Sequence, residues 1–107
     1  MKILIVDDDM LVLRATSRLL IRRGHEVKAY WDHDQAISMA ILWAPDVALV
    51  DVDMPQRTGP ELVRLFPESL PVVFHTGNPE GVPRGVRYVA KPASVDEIIA
   101  ELEEARR

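Results

Sequence analysis

Apolar residues in this chain fall into short unbroken runs, and between the runs the spacing changes to that of amphipathic helices. Five runs read as strands, Lys2 to Val6, Glu26 to Tyr30, Asp46 to Val50, Pro71 to His75 and Val86 to Ala90, each near the usual strand length. From Met10 to Arg23 the period lengthens: Val12, Ala15, Thr16, Leu19 and Leu20 share one face, Arg14, Arg18 and Arg22 the other, and Gly24 closes the stretch as a helix terminator. Asp34 to Trp43 repeats the pattern until Ala44-Pro45 stops it. Pro60 to Phe66, just after Gly59, predicts a shorter helix. A last helix opens with Ser94 and Glu97 at capping-box spacing and buries Ile98, Ile99 and Leu102.

Strands alternating with helices predict an α/β fold, a parallel sheet covered on both faces. One connection breaks the rhythm. Gly77 to Gly85 reads GNPEGVPRG, and that density of glycine and proline predicts a loop or a single helical turn rather than a full helix between the fourth and fifth strands.

Composition narrows the classes of function. At 107 residues the chain is expected to be one domain, 1–107, with no output domain attached. It has no cysteine, which removes thiol nucleophiles, disulfides and zinc-thiolate sites. Thirteen basic against 17 acidic residues, a net charge of −4, argue against direct nucleic-acid binding. The apolar start is four residues long and runs into three aspartates, unlike a secretory leader, and no window approaches a membrane span. A cytoplasmic location is the resulting expectation.

The chemistry gathers where the strands end. In an open parallel sheet, functional groups collect beyond the carboxyl ends of the strands, at the point where strand order reverses. There the first strand reaches Asp7-Asp8-Asp9, the third Asp51, the fourth Thr76 and the fifth Lys91-Pro92. Each residue alone has an ordinary reading as a helix cap or turn former. Together, clustered carboxylates suit a hard cation such as Mg²⁺, and an ammonium with a hydroxyl suits a phosphoryl group.

ILIVDDD, VALVDVDMPQRTG, PVVFHTG and YVAKP stand in the order and approximate spacing of the response-regulator receiver domains of two-component signalling. The resemblance covers essentially the whole chain. It implies a five-stranded parallel sheet of flavodoxin-like order 2-1-3-4-5, with Asp51 as phosphoacceptor in the D-x-x-M-P position. It further implies metal binding by Asp8 directly, Asp7 through water, Asp51, and the backbone carbonyl of Asp53, with Mg²⁺ as the ion. Thr76 matches the switch hydroxyl, Lys91 the lysine that pairs with phosphoryl oxygen, and Tyr88 the switch aromatic, whose plainer reading is a core aromatic. Asp53 and Asn78 occupy positions that tune dephosphorylation, Asp9 is left as a helix cap, and the Lys91-Pro92 bond is expected to be cis.

The implied partners are a sensor histidine kinase or phosphotransfer protein as donor and a downstream protein as target, with no nucleic acid and no membrane. Phosphoryl transfer rests on positioning and charge neutralisation, and a carboxylate acceptor is ionised at neutral pH. The shortened Thr76 to Lys91 segment departs from the family; it predicts a reduced or missing fourth helix, an unusual output face, and a monomer or weak dimer. The arginine stripe is expected to be a solvated face, or a kinase contact. His25, His33 and His75 are expected to be surface or packing residues, and Trp31 and Trp43 to cover the core edge. Two other functions remain open: an interaction module that does not use phosphate, and a D-x-D phosphatase of haloacid-dehalogenase type with Asp53 as general acid. Against the phosphatase, the acidic cluster precedes Asp51 and no acidic pair follows Lys91 at a strand end.

Overall fold

A computed structural model describes every residue from Met1 to Arg107. Strands β1 (Lys2–Val6), β2 (Glu26–Tyr30), β3 (Val47–Val50), β4 (Val72–Thr76) and β5 (Tyr88–Ala90) form one parallel sheet in the order β2-β1-β3-β4-β5. Helices α1 (Met10–Arg22), α2 (His33–Leu42), α3 (Gly59–Val63) and α4 (Val95–Ala105) supply the layers. The expected class and strand order are therefore observed.

Side-chain alternation along the strands divides the core in two. Leu4, Val6, Ala48, Val50 and Phe74 face Ala36 and Ala40 of α2 and Leu62 of α3. Ile3, Ile5, Val47, Leu49, Val73 and Val89 face Leu13 and Leu20 of α1 and Ile98 and Leu102 of α4. Because both faces are covered, β1 and β3 need apolar residues at successive positions, and that is why they read as unbroken runs. Every residue from Ile3 to Val6 and from Val47 to Val50 is buried.

Helix boundaries follow the capping chemistry. The Asp9 carboxylate accepts from the Leu11 and Val12 amides at the start of α1, as expected for that residue, and Gly24 ends the helix at φ +88°. Asp32 caps α2, which starts at His33 rather than Asp34 and stops one residue before Trp43. Thr58 and Glu61 form a reciprocal capping box on α3. That helix ends at Val63, short of the expected Phe66, where the chain tightens into i→i−3 bonds ahead of Pro67. Ser94 caps α4 through the Glu97 amide.

Three strands differ from expectation at their ends. β3 starts at Val47, since Asp46 uses its carboxylate to accept the Lys2 amide at 2.7 Å. β4 is shifted by one residue and includes Thr76, which pairs with Ala90. β5 begins at Tyr88, two residues late, because Gly85 turns at φ +81° just before it. Between β4 and β5 the chain makes only a 3-10 turn, Pro79–Gly81, in place of a full helix. Val82 packs on the α2/α3 side of the core, so the loop itself covers that part of the sheet. The Lys91-Pro92 peptide is cis.

Trp31 is a correction. It is packed on neither half of the core: it is 60% exposed just beyond the edge strand β2, where the sheet has no further strand. Trp43 is half-buried, with the ammoniums of Lys2 and Lys28 each 5.5 Å from its ring centre. The reading of Tyr88 as a core aromatic is overturned too. Its ring is exposed, because alternation on the short β5 sends only Val89 inward.

Candidate functional site

From β1 the sheet continues to β2 on one side and to β3 on the other, so a crevice opens at their carboxyl ends. The Asp51 amide donates to the Val6 carbonyl at 3.0 Å, locking the end of β3 to β1. Asp7, Asp8 and Asp51 converge there, with one carboxylate oxygen from each within 4.8 Å of the others. Asp7 and Asp51 are buried, while Asp8 is exposed. A cluster of hard oxygen donors this tight suits a metal ion.

Lys91 enters from β5. Its amide donates to the Thr76 carbonyl at 2.8 Å, which fixes where the side chain begins. Its ammonium donates to Asp7 Oδ2 at 2.8 Å and lies 3.6 Å from Asp51 Oδ1. One ammonium among three carboxylates leaves the site with excess negative charge. Burial, and next the neighbouring Asp7 carboxylate, raise the Asp51 carboxyl from 3.8 to about 6 against the opposing pull of Lys91. One Asp51 oxygen accepts the Val52 amide at 2.8 Å, which leaves the other for an incoming group.

Thr76 is fully buried at the end of β4, and its hydroxyl oxygen accepts the Asn78 amide at 2.9 Å. Asn78 itself is exposed, as is Asp53, whose carboxylate is not among the three clustered ones. Tyr88 stands on the outer side of β5, away from the core. The structure therefore joins Asp7, Asp8, Asp51 and Lys91 at one point. Thr76 is tied to them through its strand pairing, and Asp53, Asn78 and Tyr88 lie at the surface.

Three features add to the sequence reading; for His33 and His75, burial bears out the packing role that was one of the two expected. Gly59 donates its amide to Val52 at 2.7 Å, and a Cβ there would stand 2.3 Å from the Asp51 carbonyl oxygen and 2.9 Å from Phe74 Cε1. Only a glycine permits that approach; its place just after the capping Thr58 was the available sequence signal. His75 is buried in β4, and burial, aided by the charge of Lys91, lowers its imidazole from 6.5 to about 4. His33 is buried at the start of α2 with Nδ1 unpartnered, in the neighbourhood of Arg57, whose terminal guanidinium nitrogen also lacks a partner. Nothing in their spacing marked either residue.

Comparison with known proteins agrees with this arrangement. A profile of the response regulator receiver domain matches residues 3–103. The chain is 30% identical over 112 residues to the response regulator MprA of Mycobacterium avium (strain 104), covering 95% of this chain and 49% of that protein. It is 26% identical over 112 residues to the transcriptional regulatory protein DltR of Streptococcus agalactiae serotype III (strain NEM316), covering 95% of this chain and 50% of that one. The chain thus spans about half the length of the curated relatives it matches. Among solved structures, the receiver domain from the hybrid histidine kinase CckA superposes with a TM-score of 0.84 at 28% identity, with both chains covered in full.

Proposed function

The chain belongs to the response regulator receiver family of two-component signalling, and we propose that Asp51 is its phosphoacceptor. The observation that carries this reading is the position of Asp51. It ends a central strand, buried, 3.6 Å from the Lys91 ammonium, with Asp7 and Asp8 beside it. Such a carboxylate can attack phosphorus without first losing a proton to a base, once the surrounding charge is balanced.

Mg²⁺ fits the donor set: three carboxylates within 4.8 Å of one another, left with excess negative charge by a single ammonium. Asp8 and Asp51 would hold the ion, with Asp7 and the Asp53 backbone carbonyl assisting. When bound, it supplies positive charge toward the phosphoryl oxygens. Lys91 holds Asp7 in the ground state and is placed to move its ammonium onto a phosphoryl oxygen on Asp51. The Thr76 hydroxyl already accepts from Asn78, so its proton remains available to the phosphoryl group.

In this reading the donor is a histidine kinase or phosphotransfer protein, the compartment is the cytoplasm, and the product is an acyl phosphate that Asp53 and Asn78 expose to or shield from water. The signal leaves by protein contact through Thr76, Tyr88 and the short β4–β5 loop. The D-x-D phosphatase reading gains no support, since the Asp53 carboxylate is exposed and not among those clustered with Asp51. Intact-mass analysis after incubation with acetyl phosphate tests the proposal. A single phosphoryl adduct that forms with Mg²⁺ and is absent with EDTA supports it; an unmodified mass with Mg²⁺ present refutes it.

A further inference from the structure

His75 on β4 and Thr16 on α1 are only 6% and 7% exposed. His75 lies on the same face of β4 as Val73, the face packed against α1 and α4, and Thr16 lies between Leu13 and Leu20 on the buried side of α1. Neither the His75 imidazole nor the Thr16 hydroxyl makes a hydrogen bond within the protein. Buried polar side chains nearly always have partners. The unpartnered atoms that are sealed off completely belong to His33 and Arg57. The polar atoms of His75 and Thr16 are therefore still accessible, and both residues line one cavity of about 370 Å³ between α1, α4 and the residues that follow β5.

The rest of that wall is largely apolar, with Val12 and Leu19 from α1, Pro92 after β5 and Ile98 from α4. Ligand cavities run from about 300 to 1,000 Å³ and combine an apolar lining with a few fixed polar groups that orient the occupant. No aspartate lines this one, so it is distinct from the carboxylate cluster, and Lys91 is the residue that reaches both. The Lys91 ammonium already donates to Asp7 at 2.8 Å. With that charge engaged and excess negative charge beyond it, the cavity disfavours an anion. A cation would enter a largely apolar space with no carboxylate to meet it. The buried His75 ring is neutral at physiological pH, so it donates from one nitrogen and accepts at the other, and the Thr16 hydroxyl does both. An uncharged amide or hydroxyl head satisfies such groups.

We propose that this cavity binds a small uncharged organic molecule, its amide or hydroxyl head on His75 and Thr16 and its apolar body against Val12, Leu19 and Ile98.

An NMR titration of isotope-labelled protein with benzamide tests this, with benzoate and toluene as the charged and headless analogues. Benzamide is expected to shift the backbone amides of Thr16, His75 and Ala93 saturably, and the two analogues to bind about tenfold more weakly. Thr16→Val keeps the shape and removes the hydroxyl, and His75→Leu removes the ring nitrogens. Each is expected to weaken benzamide about three- to tenfold, as loss of one hydrogen bond does, and to leave toluene bound as tightly as before or more so. A dispersed amide spectrum and the retained toluene binding report that the fold and the cavity persist in each variant. Benzamide shifts that do not saturate or that fall outside the cavity, equal binding of the three probes, or benzamide affinity unchanged in both variants overturns the proposal.

Discussion

Replacing Asp51 by asparagine should stabilise the metal-free protein at pH 8. The Asp51 carboxyl is raised from 3.8 to about 6, chiefly by burial and by Asp7. An acid whose folded value lies above its unfolded one is easier to protonate when folded, so ionising it opposes folding. That opposition is absent below pH 3.8, grows through the window up to about 6, and is complete above it. A gap of two units corresponds to about 3 kcal/mol at roughly 1.4 kcal/mol per unit. The pull of Lys91 at 3.6 Å is already contained in that value, and the closer Lys91–Asp7 pair at 2.8 Å remains in the variant. A gain of about 3 kcal/mol at pH 8 is therefore expected, on the order of 10 °C or more in Tm for a domain this small. Urea melts of parent and variant in EDTA, at pH 8 and pH 4.5, measure it. The variant should be ahead at both, by about a third as much at pH 4.5 as at pH 8, and Mg²⁺ should narrow the gap by stabilising the parent more. A variant no more stable than the parent at pH 8, or a gap that ignores pH, would refute the reasoning.

Further expectations follow from other contacts. Gly59→Ala places a methyl group against the Asp51 carbonyl and the Phe74 ring; a loss of about 1–3 kcal/mol is expected, together with slower phosphorylation, and a neutral substitution would show that the loop yields. Asp9→Ala removes the cap of α1 and should cost about 1 kcal/mol in a urea melt without changing the phosphorylation rate. His75, lowered from 6.5 to about 4, should show no imidazole titration by NMR between neutral pH and pH 5; a midpoint near 6.5 would mean the ring is not held in its buried position. Stability that depends on neutral His75 is full above 6.5 and lost as pH falls toward 4.

Most of the fold was legible because its cause is local. The unbroken runs Ile3-Leu4-Ile5-Val6 and Val47-Ala48-Leu49-Val50 record strands buried on two faces, and Ser94 with Glu97 records a helix start. The lack of an α-helix between β4 and β5 was equally plain, since Pro79, Gly81, Pro83 and Gly85 leave room only for a 3-10 turn. Features set by tertiary position were not legible. Trp31 is an edge residue, and which strand is the edge depends on the strand order rather than on its neighbours in sequence. The convergence of Asp7, Asp8, Asp51 and Lys91 was readable as four strand ends. The close approach at Gly59 and the unpaired atoms of His33 and Arg57 arise from segments far apart in the chain.

Where the phosphoryl group lands is the most direct measurement. After reaction with acetyl phosphate and Mg²⁺, borohydride reduction of the acyl phosphate followed by proteolysis and tandem mass spectrometry marks the acceptor permanently. The account predicts a single mark on Asp51 and none in the Asp51→Ala variant. A mark on Asp53, Asp7 or Asp8, or one that survives in the variant, would contradict it.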